Sequence, residues 1–99
     1  MLHIVNKSPT ERNSLDSCLR LATEGSAVLL IEDAVYAATR GTAAAEKLKA
    51  AMGRLQFYVL EPDLKARGMA SRVIDGVTLV DYGGFVDLVA EHRNCQSWL

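Results

Sequence analysis

The sequence has few of the features that mark membrane, nucleic-acid-binding or disulfide-rich proteins. No apolar run approaches the ~18 residues of a membrane span, so no contact with a membrane is expected. Lys and Arg number 11 against 12 Asp and Glu, and residues 1–49 carry six of each sign. Without a basic block to follow a phosphate backbone, the chain is not expected to contact nucleic acid directly. Cys18 and Cys95 are the only cysteines, which predicts free thiols in a cytoplasmic protein.

Motifs for a leader peptide, a cofactor or a metal are also missing. Met1–Val5 is strand-like from the start, which predicts no signal peptide. No GxGxxG or Walker sequence occurs, so no nucleotide cofactor is expected. A receiver-type Mg²⁺ site needs an acidic pair after the first strand, where this chain has Asn6-Lys7. We interpret Glu61 and Asp81 as helix caps and Glu32-Asp33 as a helix start, and we expect no metal.

Short apolar runs alternate with helical patterns along the 99 residues, which predicts a single domain over 1–99. Such alternation favours a parallel sheet with helices on both faces. The predicted fold is therefore α/β: a small flavodoxin-like three-layer sandwich with a mostly parallel sheet of four or five strands. Predicted strands are Leu2–Val5, Ala27–Ile31, Phe57–Leu60 and Val77–Val80; predicted helices start at Ser8, Ala34, Thr42, Glu61 and Asp81.

Two features leave alternatives open. Cys18 follows Leu15 at helical spacing and precedes Leu19, which favours a buried small hydrophobe over a reactive thiol.

The final helix carries Phe85, Val86 and Val89 on one face. Trp98-Leu99 at the end either covers the chain's own sheet edge or packs on another subunit, since Trp is a favoured interface anchor.

Several segments in this order resemble the DsrH/TusB family, the smallest subunits of the DsrEFH and TusBCD sulfur-relay complexes. The resemblance covers essentially the whole chain. The segments that carry it are Met1–His3 with Asn6–Pro9, Ala27–Asp33 with Val35, Tyr58–Leu64 through Ala66–Gly68, Val80–Tyr82 with Phe85-Val86, and Gln96–Leu99.

The resemblance implies a DsrEFH-like fold and a cytoplasmic heterohexamer with DsrE/TusD-like and DsrF/TusC-like subunits. Such complexes pass persulfide sulfur to a DsrC/TusE-like carrier. The principal cysteine of the family lies on the DsrE/TusD subunit, and the equivalent stretch here, Val59–Asp63, contains no cysteine. The resemblance thus implies a mainly structural subunit, with Cys18 as a secondary persulfide site.

Cys18 and the stretch Glu11–Leu19 resemble DsrH of sulfur oxidisers more than TusB. The leading hypothesis is therefore an accessory subunit in dissimilatory sulfur oxidation. The alternative is a TusB-like subunit of the relay for 2-thiolation of a tRNA wobble uridine. A third hypothesis is a stand-alone flavodoxin-like binding domain without any relay.

Overall fold

The computed structural model describes residues 1–98 and contains a five-stranded sheet in which every strand pair is parallel. The strands are β1 (Leu2–Val5), β2 (Ala27–Leu30), β3 (Gln56–Leu60), β4 (Thr78–Val80) and β5 (Cys95–Trp98). Their order across the sheet is β4-β3-β2-β1-β5. The chain therefore moves one way from β1 to β4 and then returns to the opposite edge, which confirms the predicted α/β sandwich.

The crossovers between these parallel strands are helical. The helices are α1 (Ser14–Leu21), α2 (Ala43–Ala51), α3 (Glu61–Ala66) and α4 (Tyr82–Glu91), with 3₁₀ segments over Glu32–Ala38 and Ala70–Arg72. Within residues 1–98, none of the helices has the length and apolar character needed to cross a bilayer.

The two faces of the sheet are covered unequally. The larger core joins side chains of α1, α2 and α3 to residues such as Val28 and Val59. The smaller core is built from Leu2, Ala27 and Leu29 with Leu88 of α4. All four residues of β2 are buried, as its uninterrupted apolar sequence predicts for a strand covered on both sides.

The prediction that the first helix begins at Ser8 is wrong, because α1 begins at Ser14. The Ser8 carbonyl accepts the N–H groups of Glu11 and Arg12, and its hydroxyl accepts the N–H of Thr10 at 3.4 Å. These bonds satisfy the backbone in an isolated turn, so the segment needs no helix. Ser side chains compete with helix formation in this way.

The C-terminal tail covers the chain's own sheet edge, as the first of the two alternatives predicts. Residues Cys95–Trp98 form β5 and pair with β1, with Val5 opposite Trp98. Leu99 lies outside the described residues. On α4 the buried residue is Leu88, whereas Val86 and Val89 are 64% and 39% exposed. Of the apolar face predicted for that helix, Phe85 packs partly buried against the smaller core, and the two valines are turned to solvent.

Candidate functional site at the carboxyl edge of the sheet

Polar residues follow the strands where ligand sites form in parallel sheets, at the carboxyl ends. Asn6, Glu32, Glu61 and Asp81 follow β1, β2, β3 and β4 respectively. The predicted cap at Asp81 is confirmed, because its Oδ1 accepts the Gly84 N–H at 2.8 Å. The 3₁₀ segment begins at Glu32, which confirms the helix start interpreted at Glu32-Asp33 and lies two residues before the predicted start at Ala34.

The predicted cap at Glu61 is wrong. Leu60 occupies the N-cap position of α3 and Glu61 is the first residue of the helix. The Glu61 carboxylate instead lies 3.8 Å from the Lys65 ammonium, one turn along the helix. Because β3 leads directly into α3, the chain has no intervening residues in which a carboxylate could cap from outside.

The acidic residues after β2 and β3 hold the two connections together. Glu32 has a positive φ of 51°, which is rare outside glycine, and its N–H donates to Asp63 Oδ2 at 2.6 Å. Arg67 donates from Nε to Asp33 Oδ1 at 2.9 Å and from Nη1 to the Asp63 carbonyl at 3.1 Å. The carboxylates therefore stabilise a fixed backbone arrangement. Across residues 1–98, no three His, Cys, Asp or Glu side chains lie close enough together to hold a metal ion.

Cys18 lies in the larger core and has no exposed surface. Burial raises the pKa of its thiol to about 12, although the positive charge of Arg54 acts in the opposite direction. Only the thiolate attacks a sulfur donor. The isolated chain therefore holds Cys18 in its unreactive form, which matches the buried-hydrophobe interpretation of the sequence.

Arg54 connects the turn before β3 to the end of α1. Its guanidinium donates to the carbonyl of Ala22 at 3.1 Å and to the carbonyl of Leu19. The last carbonyls of a helix have no intrahelical partner and carry a partial negative charge. Arg54 therefore stabilises the helix end next to Cys18, across more than 30 residues of sequence.

The two cysteines are expected to react very differently with thiol reagents. At pH 8 a thiol with a pKa near 12 is ionised in only about one molecule in 10⁴, whereas Cys95 is exposed. We expect one equivalent of fast labelling by a chromogenic disulfide in the folded chain and two equivalents in denaturant. Cys95→Ser should remove the fast phase and Cys18→Ala should leave it intact. Fast labelling of Cys18 in the folded chain would contradict its burial.

His3 and Trp98 join β1 to the C-terminal strand through their side chains. Trp98 Nε1 donates to His3 Nδ1 at 3.1 Å, and the ring centroids are 6.1 Å apart. Because an indole only donates, Nδ1 must accept and the His3 proton is assigned to Nε2. His3 is 4% exposed, and among residues 1–98 its Nε2 finds no hydrogen-bond partner. Burial, helped by the charged N-terminal amino group, lowers the pKa of His3 below 6.5.

This lowered pKa predicts that acid weakens the fold through His3. Below pH 6.5, His3 binds a proton more readily in the unfolded chain than in the folded chain. The free energy of unfolding therefore falls as the pH decreases toward the pKa of His3 in the folded chain. Urea unfolding followed by the fluorescence of Trp98, the single tryptophan, should show this slope. His3→Asn keeps an acceptor for Trp98 but cannot titrate, so the slope between pH 6.5 and 5 should become smaller. An unchanged slope would exclude His3 as its source.

Known proteins resemble this chain both in sequence and in fold. The family model described as "DsrH like protein" matches residues 7–95. Protein TusB of Pectobacterium parmentieri is 41% identical over 98 residues, which cover 99% of this chain and 100% of that protein. Protein TusB of Serratia proteamaculans is 37% identical and that of Escherichia coli K12 is 36% identical, over the same shares of both chains.

Solved structures agree on the fold. The ychN protein of E. coli superposes with a TM-score of 0.78 at 23% identity, over 97% of both chains. Protein MTH1491 of Methanobacterium thermoautotrophicum, whose function is described as unknown, gives a TM-score of 0.75 at 20% identity over 97% of this chain and 95% of its own. At these identities the likeness concerns the fold alone.

Proposed function

The chain belongs to the DsrH/TusB family, and we propose that it is the TusB-type subunit of a persulfide relay for 2-thiolation of a tRNA wobble uridine. The main support for this proposal is the sequence identity of 36–41%, over the full length, to relatives named TusB. This identity favours the tRNA-thiolation hypothesis over the sulfur-oxidation hypothesis.

A relay step transfers one sulfur atom between two thiols. The acceptor thiolate attacks the outer sulfur of a persulfide, a new S–S bond forms, and the donor leaves as a thiolate. The buried Cys18 of this chain lacks both the charge and the access for that attack. We therefore assign the principal nucleophile to a TusD-like partner, and Cys18 is a secondary site that acts only if the assembled complex exposes it.

The surface supports a role as a subunit. Tyr82, Val86 and Val89 of α4 are 62%, 64% and 39% exposed. Exposed apolar residues grouped on one helix are typical of protein interfaces. We assign this face to contact with a TusC-like or TusD-like subunit in a heterohexamer that delivers sulfur to a TusE-like carrier.

The proposed location is the cytoplasm, where such a relay meets tRNA-modifying enzymes. The balance of 11 basic against 12 acidic residues fits a subunit that does not itself bind tRNA. The tRNA is thus a substrate of the pathway and not a direct partner of this chain.

Complementation distinguishes the candidate functions. The gene is introduced into a bacterium that lacks its TusB, together with the TusC-like and TusD-like genes of the source organism, and 2-thiouridine in total tRNA is quantified by mass spectrometry. We expect the modification to return, and omission of this gene alone should abolish it. No return despite co-purification of the three subunits would overturn the tRNA assignment and favour sulfur oxidation, for which Cys18 is the supporting feature.

Size-exclusion chromatography tests the stand-alone alternative. The tagged chain is co-expressed with both partner subunits and its molar mass is measured by light scattering. We expect a complex of six chains. A monomer that ignores both partners would overturn the assignment as a relay subunit and favour a separate binding domain.

A further inference from the structure

A cavity of about 440 Å³ lies beside the carboxyl end of β1, away from the Asp33–Arg67 and Asp63–Glu32 contacts described above. Its volume is in the range of small-molecule sites, ≈ 300–1,000 Å³. The walls come from the turn after β1, the start of α1, Tyr36 of the 3₁₀ segment and the start of α2. Leu15 and Ala44 give it an apolar floor, since both are largely buried residues that line it.

The charges around this cavity leave one cation unpaired. Lys47 Nζ lies 2.7 Å from Asp16 Oδ1, so these two lining residues neutralise each other. Arg12 also lines the cavity, and within residues 1–98 its guanidinium has no carboxylate partner within 4 Å. The charged residues that line the cavity therefore carry a net positive charge, and they lie next to its apolar floor.

Polar groups from the turn after β1 and from the start of α2 also line the cavity. Thr42 caps α2 by accepting the Ala45 N–H at 3.0 Å. Ala43 and Ala44, which also line the cavity, belong to the first turn of α2, where N–H groups have no intrahelical partner. Ser8 and Thr10 also line it, and their hydroxyl groups form a hydrogen bond with each other at 3.0 Å. The backbone N–H groups of this first turn and the Arg12 guanidinium can only donate, so they favour negative oxygen atoms over positive or apolar ligand groups.

We propose that this cavity binds a small organic oxyanion, with its carboxylate or phosphate group at Arg12 and the α2 N-terminus and its apolar or aromatic body over Leu15 and beside Tyr36. The cavity, the unpaired Arg12 and the apolar floor carry the inference together. It does not depend on the proposed function in the sulfur relay.

The test uses the ¹⁵N-labelled full chain and four probes. Benzoate and phenyl phosphate carry the two oxyanions on the same ring, benzamide is a neutral ring, and inorganic phosphate lacks the apolar body. We expect saturable shifts of the Thr10, Ala43 and Ala44 amide signals with at least one of the two aryl anions. Benzamide and inorganic phosphate should each bind about tenfold more weakly. The tighter aryl anion identifies the head group.

Matched variants locate the charge that recognises the anion. Arg12→Gln should weaken binding about fivefold to tenfold, and Arg12→Lys should retain part of it. Arg93→Gln removes one exposed positive charge that lies just before β5 and does not line the cavity, so it should leave the affinity within about twofold. All three variants are first checked for an unchanged amide spectrum away from position 12 or 93. Equal affinity for benzamide, shifts confined to other surfaces, no saturable binding, or full affinity in Arg12→Gln would each overturn the proposal.

Discussion

Val86→Asp is expected to remove this chain from its complex while leaving the isolated fold intact. Val86 is 64% exposed, and surface substitutions of this kind usually change the free energy of unfolding by no more than ~0.5 kcal/mol. At a buried interface, however, an unpaired carboxylate costs much more than the lost apolar contact. We expect affinity for the partner subunits to fall at least about thirtyfold, the effect of a hot-spot residue.

The measurement is co-purification with tagged TusC-like and TusD-like subunits, followed by titration of the purified chain. Leu21→Asp is the matched control, because Leu21 is 62% exposed but lies on α1, which packs on the other face of the sheet. We expect this control to assemble normally. If Val86→Asp assembles as well as the parent chain, α4 is not the contact surface; if both variants fail, the loss is not specific to α4.

The unequal coverage of the sheet explains why α4 is the candidate surface. The larger core draws on three helices, whereas the smaller one draws on α4 alone among the described helices. The sequence predicts α4 and its cap at Asp81, because both signals are local. It does not show that Leu88 rather than Val86 points inward, since this depends on how the helix is rotated against β1 and β2.

The same distinction between local and distant signals runs through the fold. The apolar run of β2 identifies a strand buried on both faces without any knowledge of its neighbours. The start of α1 is mispredicted because Ser8 and Pro9 suit a helix N-terminus and a turn equally well, and the hydrogen bonds to the Ser8 carbonyl decide between them. For the C-terminal tail, the sequence predicts only that its large apolar residues are buried by some contact. It does not predict that the tail forms a fifth strand beside β1.

Most of the contacts that define the candidate site cannot be predicted from the sequence. Asp63 reaches the Glu32 N–H across 31 positions, and Arg67 reaches Asp33 across 34. No spacing rule connects residues so far apart on different crossovers. The burial of Cys18 was predictable because it rests on the periodicity of a single helix, and the structure confirms that interpretation of its environment.

Arg54→Ala is expected to destabilise the chain by about 2–3 kcal/mol, because two hydrogen bonds from a charged donor are lost and the carbonyls of Leu19 and Ala22 are left unpaired. Urea unfolding monitored by Trp98 fluorescence measures the change. Arg54→Lys should recover only part of it, since one ammonium cannot reproduce the planar fork of a guanidinium. Arg20→Ala, an exposed change on α1, should cost no more than ~0.5 kcal/mol.

The Arg54 variant also links the stability of α1 to the thiol it buries. The Cys18 carbonyl accepts the Ala22 N–H at 2.8 Å, in the same turn that Arg54 holds. Loosening this turn exposes Cys18 more often, so labelling of Cys18 should accelerate in Arg54→Ala while the rate for the exposed Cys95 stays constant. If stability falls but Cys18 labelling does not change, the helix end opens independently of the thiol. If Arg54→Lys is as stable as the parent chain, a positive charge alone accounts for the role of Arg54, and the forked geometry has no part in it.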